Sequence, residues 1–272
     1  MRQIWLSLLL GTTTLGCPVS GPTRDVHRAP IVTSGQQPTL PLERIAVVGA
    51  SVSAGFGGVP FGDLVTTAAP RSKVESYATL FLFRDPVGVT ATQIDQAIAF
   101  RATVIVGLDL LFWDVYRETD PGWRDRAVAS ALAQLERARA AGAWIVVGDI
   151  PRITTASEAF IAKESVPDVA SLARYNDQIA AWAKRERVLL VPFASWAEPL
   201  AAGGDVTLRS GEKVPASSLV GPDGLHANAV GAWALLDRLD QFIERALPGT
   251  PAEALVFLRP SIENAGAESL SW

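Results

Sequence analysis

Residues 221–236 read GPDGLHANAVGAWALL, which sets Asp223 three positions before His226. That separation, in one turn or tight loop, brings a carboxylate beside an imidazole Nδ1 and leaves Nε2 free. A base oriented in this way needs a hydroxyl to act on, because serine is a weak nucleophile until a neighbouring base takes its proton. The best-placed hydroxyl is Ser51, in the stretch RIAVVGASVSAGFGG at 44–58. There a short β-branched run stops at Gly49, so Ser51 and Ser53 leave the carboxyl end of a buried strand among residues too small to shield them. The chemistry this allows is acyl transfer, with Ser51 as nucleophile, His226 as proton shuttle and Asp223 as the carboxylate that orients it. Without chemistry, the same stretches read as a glycine-rich turn and a capping aspartate beside an exposed histidine.

Composition narrows the alternatives. The 272 residues are 49% apolar and 19% charged, enough for one well-packed α/β domain. A net charge of −4 with no Lys/Arg cluster argues against nucleic acid as a partner. The single cysteine, Cys17, excludes an intramolecular disulfide and a Cys-rich metal site, and the two histidines, His27 and His226, are too few for a histidine-based one. No metal or other cofactor is expected. The Ser51 stretch lacks the second glycine of a Gly-x-Ser-x-Gly elbow. It also lacks the Gly-Lys-Ser/Thr of a phosphate loop, and Pro60 stands where a dinucleotide loop needs its third glycine.

Stepping along the chain gives the elements that must hold these residues. Residues 1–17 have a basic start at Arg2, an apolar run at 4–10 and small residues up to Cys17, a secretory signal pattern too short for a stable membrane span. Residues 18–41 contain Pro18, Pro22, Pro30, Pro38 and Pro41 among Ser, Thr, Gly and Gln and read as a disordered tether, with His27 a solvated bystander. The globular domain spans 42–247. Strands are expected at 45–48, 74–83, 103–108, 143–147 and 188–191. Helical segments are expected at 61–67, from a Thr90 or Thr92 cap after a Pro86/Gly88 turn, from Asp120-Pro121 to Gly142, at 169–187, and from Val230 onward. Alternation of this kind calls for a parallel sheet of about five strands between two helical layers, a three-layer α/β/α sandwich. Residues 248–272 form a tail in which 254–258 could add an edge strand. Phe112 and Trp113 read as packing at a strand end.

The Ser51 loop after the first strand, with Asp223-Gly224-Leu225-His226-Ala227-Asn228 near the end of the domain and Tyr175-Asn176 before the last strand, resembles the SGNH (GDSL-type) hydrolases. Ala50 stands where that family usually has Asp. The resemblance implies a flavodoxin-like sheet and a serine esterase or acylesterase acting on a small-molecule or glycan acyl ester. It also implies an oxyanion hole from the N–H groups of Ser51 and Gly88. The family's Gly-x-Asn-Asp here reads Gly107-Leu108-Asp109-Leu110. Asp109 thus replaces an amide donor, and only a protonated Asp109 could donate to the hole. The other implied function is a catalytically silent SGNH-like envelope protein that binds a glycan or a protein. Thr14-Leu15-Gly16-Cys17 resembles a bacterial lipobox, which implies a lipid on Cys17 and an exported protein anchored in the cell envelope, or otherwise a periplasmic or secreted one.

Overall fold

In a computed structural model of the chain, residues 39–248 are described. Strands β1 (Arg44–Val47), β2 (Lys73–Ser76), β3 (Val104–Gly107), β4 (Trp144–Gly148) and β5 (Leu189–Val191) form one sheet in the order β2-β1-β3-β4-β5. All four pairings are parallel. Helices α1 (Ser51–Ala54), α2 (Phe61–Ala68), α3 (Pro86–Ala99), α4 (Trp113–Tyr116), α5 (Pro121–Ala140), α6 (Val169–Glu186), α7 (Phe193–Ala202) and α8 (Ala229–Ala246) connect the strands or follow them. A small antiparallel hairpin of β6 (Asp205–Thr207) and β7 (Lys213–Pro215) is inserted between α7 and α8.

The period of two in the strands explains the layers. Ala46, Ile105, Ile145 and Val147 face one core, which they share with Ile94, Leu135, Ile179 and Trp182 of α3, α5 and α6. Ile45, Val47, Val104, Val106 and Val146 face the other, with Phe61 and Leu64 of α2 and Leu236, Leu239 and Ile243 of α8. Each such aliphatic side chain contributes about 1.5–3 kcal/mol by leaving water, and both faces of β1, β3 and β4 are used. The expected three-layer sandwich with a five-stranded parallel sheet is the observed fold.

Local signals set the starts of α3, α5, α6 and α8. The Asp120 carboxylate accepts the N–H groups of Gly122 and Trp123, with Pro121 in the first turn of α5. Asp168 accepts the Ser171 N–H at the start of α6, and Asn228 accepts the Gly231 N–H at the start of α8. Two expectations need correction. Regular pairing in β2 ends at Ser76 rather than running to residue 83, because β2 is an exposed edge strand and 82–84 turn into a short 3₁₀ segment. The turn expected at Pro86/Gly88 is already helix: Asp85, not Thr90 or Thr92, caps α3, and Pro86 is its first residue.

Buried Leu40 packs into the second core and the Pro41 carbonyl accepts a hydrogen bond from Thr103 Oγ1, so packing begins within the last residues of the expected tether. The signal stretch 1–17, Cys17, His27 and the edge strand expected at 254–258 lie outside the described residues. Among the described residues, no helix is long and apolar enough to cross a membrane.

Candidate active site

Strand order 2-1-3-4-5 reverses between β1 and β3, and in open α/β sheets ligands bind beyond the strand ends at such a reversal. The loops that leave β1 and β3 carry Ser51 and Asp109. Gly49 lies just past β1 at φ +140°, and a Cβ there would lie 2.2 Å from Asp109 Oδ1 and 2.6 Å from Ser53 Oγ. Only glycine lets these two loops approach so closely. The Gln93 side chain of α3 clamps the same residue, accepting the Gly49 N–H at 2.7 Å and donating to its carbonyl at 2.9 Å.

His226 arrives from the opposite end of the domain on a loop pinned at several points. Val220 bridges Ala227, Gly221 N–H donates to the His226 carbonyl, and Ser157 N–H donates to the Asp223 carbonyl. Gly224 turns this loop at φ +65°, where a Cβ would strike the Thr155 carbonyl oxygen at 2.1 Å. The structure brings the three expected residues into one line. Ser51 Oγ lies 2.8 Å from His226 Nε2, and His226 Nδ1 lies 2.7 Å from Asp223 Oδ2. The other oxygen of Asp223 accepts the N–H groups of Leu225 and His226, each at 3.0 Å.

Burial pushes the Asp223 carboxyl up. The N–H groups of His226 and Leu225, with the imidazole, together outweigh that effect and hold it below the usual carboxylate range. It therefore stays ionised, accepts a hydrogen bond from Nδ1–H and leaves Nε2 to accept from Ser51. His226 is 3% exposed. Phe56 and Phe160 cover its ring, with centroids 4.5 and 5.4 Å away.

The expected oxyanion hole is only partly assembled. Ser51 N–H has no acceptor among the described residues and remains available. Gly88 does not line the Ser51 pocket, and its N–H caps α3 by donating to Asp85 at 3.1 Å. Asp109 is beside Ser51 but faces the turn, not a reacting carbonyl. Its Oδ1 accepts from Ala50 N–H and Ser53 Oγ, and its Oδ2 from Val52 and Ser53 N–H, at 2.5–3.2 Å. Burial raises the Asp109 carboxyl, while these four hydrogen bonds favour the anion. With both oxygens accepting, Asp109 holds the Ser51 turn in shape and offers no donor.

A shallow pocket at Ser51 is walled by Asp109, Phe112, Trp113, Ile153 and Leu225. Phe112 both packs and lines it, stacked on Tyr116 at 4.1 Å and 12°. Tyr116 in turn donates to the Pro151 carbonyl and accepts from Ile153 N–H. Asn176 clamps Ile150 with a donor–acceptor pair, each bond 2.9 Å. Gln93, Phe56 and Phe160 were not legible as site residues. Gln93 alone left a trace, a polar residue on the helical face shared with Thr90, Ile94 and Ala97, all buried. Among the described residues, no group of three or more His, Cys, Asp or Glu is placed to hold a metal ion.

No protein-family model matches the sequence, and no curated protein is similar to it. Solved structures do match. The chain is similar to TesA at a TM-score of 0.50 and 17% identity, covering 75% of this chain and 100% of that one. It is similar to Axe2, an acetylxylan esterase from Geobacillus stearothermophilus, at 0.50 and 12%, covering 77% and 97%. A GDSL-like lipase from Bacteroides thetaiotaomicron matches at 0.48 and 14%. With its sheet order, its helical layers and its likeness to TesA and Axe2, the chain has the three-layer α/β/α fold of the SGNH-type hydrolases.

Proposed function

We propose that the chain is a serine carboxyl-ester hydrolase of the SGNH type. The observation that carries this reading is the unbroken line Ser51–His226–Asp223, with Asp223 held ionised behind a buried imidazole. Ser51 Oγ attacks the acyl carbonyl carbon as its proton passes to His226 Nε2, and the carbonyl π electrons move onto oxygen beside the Ser51 N–H. Collapse expels the alcohol, which takes the proton from His226. A water molecule, deprotonated by His226, then hydrolyses the acyl-serine by the same route. Asp223 keeps the tautomer and stabilises the imidazolium. The signal pattern and lipobox-like Cys17 support export and attachment to the cell envelope, where an ester of a small molecule or glycan is the expected substrate.

The second reading, a silent binding protein of the envelope, is favoured by one observation: neither Gly88 nor Asp109 supplies the oxyanion donor expected of it. Removing one donor costs about 10²–10³ in rate in enzymes where this has been tested. A panel of acyl esters offered to the full chain decides between them. Turnover that falls at least a hundredfold in His226→Ala supports the hydrolase, and no turnover of any ester by the folded wild type supports the binder.

A further inference from the structure

The stretch that follows β2 turns apolar side chains outward beside the Ser51 pocket. Leu80, Phe81, Phe83 and Val87 are all exposed there, Phe81 by 54%. The backbone that carries them is held firmly. The N–H groups of Tyr77 and Thr79 donate to the Val47 and Gly49 carbonyls, next to the turn that bears Ser51. Leu82 is fully buried, and Asp85 caps α3. Phe83 lies 5.7 Å from Trp113, which walls the Ser51 pocket, so the exposed group continues the rim of the site. On another side of the site, Phe56 and Phe160, which cover His226, are exposed as well.

A cation stands within this group. The Arg84 guanidinium lies over the Phe81 ring, 4.8 Å from its centroid, and 5.9 Å from that of Phe83. Among the described residues it makes no hydrogen bond or ion pair, because the neighbouring carboxylate of Asp85 accepts the Gly88 N–H instead. Single exposed apolar residues are ordinary on a protein surface, but four within 80–87 around an unpaired guanidinium mark a contact surface.

We propose that residues 80–87 dock the catalytic face on a phospholipid bilayer, with Leu80, Phe81, Phe83 and Val87 at the acyl boundary and Arg84 on a lipid phosphate. The inference goes beyond ester hydrolysis and does not depend on it. The chemistry favours this occupant: a bilayer surface offers apolar chains and anionic phosphates in one plane, which matches rings and guanidinium side by side. A sugar would stack on the ring faces, and Arg84 already covers one face of Phe81. The chain before the described residues also points to a membrane, since it carries the signal pattern and the lipobox-like Cys17. Residues 18–38 span about 70 Å when extended, against about 40 Å across a domain of this length. A lipid on Cys17 therefore leaves the catalytic face free to reach the same bilayer, although the chain enters the domain at the other end of β1. Stable attachment to a membrane takes two signals, and the aromatic stretch supplies the second.

Amide hydrogen exchange of the full chain, with and without vesicles of phosphatidylcholine and phosphatidylglycerol, tests this. The apolar run at 4–10 and Cys17 are common to every variant, so the exchange is read locally, across 80–87. There it is expected to slow at least about fivefold on vesicles, in the wild type and in Ser51→Ala alike. Leu80→Ser with Phe81→Ser, and separately Arg84→Glu, are each expected to abolish that protection. All three side chains are exposed, and having one apolar and one charged variant guards against either failing to fold. Exchange at 80–87 that vesicles leave unchanged, or protection that survives in both folded variants, overturns the docking. Slowing by soluble xylan and not by vesicles overturns it too, in favour of a sugar platform. Protection at 80–87 without hydrolysis of any ester supports the docking and overturns the hydrolase reading instead.

Discussion

Asp109 is the residue at which sequence and structure part most clearly. An aspartate in place of an amide donor reads as damage to an oxyanion hole, yet its carboxylate accepts four hydrogen bonds from the turn that carries Ser51. Asp109→Asn replaces one accepting oxygen with an amide NH₂ and leaves buried donors of the turn facing a donor, at about 1–3 kcal/mol for each one unsatisfied. The expected result is a lower melting temperature together with kcat reduced about tenfold to a hundredfold at little changed KM, since a displacement near 1 Å is enough for that loss. A variant with unchanged kcat and stability would remove Asp109 from the account. Asp223→Asn should cost about 10⁴ in kcat if Asp223 sets the His226 tautomer, as the amide stabilises the wrong one. A loss below tenfold would show that this carboxylate does not orient the ring.

Among the elements, α8 matters most to the chemistry because its cap sits two residues after His226. Asn228 accepts the Gly231 N–H and donates to the Ser218 and Val220 carbonyls, tying together the helix, the 3₁₀ turn Ala216–Leu219 and the histidine loop. Asn228→Ala should cost about 1–2 kcal/mol in chemical denaturation and lower ester turnover with it. A stability loss with turnover fully retained would mean that the loop holds its shape without the cap. The same kinds of signal explain what was readable in advance. Helices α5 and α6 carry an N-cap aspartate and regular apolar spacing, and β1, β3 and β4 are short apolar runs bounded by glycine or polar residues. Helix α7 contains Pro199 and no capping side chain, and the hairpin strands are three residues each, too short to show alternation. Pro86 read as a turn because the same residue suits a turn and a first helical turn. Ser51, Asp223 and His226 were legible because their chemistry restricts the residue types. Gln93, Phe56 and Phe160 act only through contacts that the folded sheet creates.

At the scale of the whole molecule, the fold holds carboxyl groups whose burial opposes their ionisation. Asp114 of α4 is fully buried with both carboxyl oxygens unpartnered, and burial pushes it well above the usual range. Burial, with Glu244 nearby, pushes Asp240 to about 6 against the opposing pull of Arg209. Both carboxyls are held above their unfolded values, so the stability they allow is complete below about pH 4 and is lost as the pH rises through the folded values. For Asp240 that window runs from about 4 to 6, and for Asp114 it runs upward from about 4 through its own raised value. Denaturation midpoints should therefore fall with rising pH, and Asp114→Asn should make that fall shallower. An identical slope in the variant would exclude Asp114 as its source.

The central claim is that two stretches 175 residues apart meet so that an imidazole activates a hydroxyl. Labelling the purified chain with a fluorophosphonate and mapping the adduct by mass spectrometry tests it most directly. The adduct is expected on Ser51, absent in Ser51→Ala and slowed at least a hundredfold in His226→Ala. No adduct on the folded wild type, or an adduct on another serine, would contradict it.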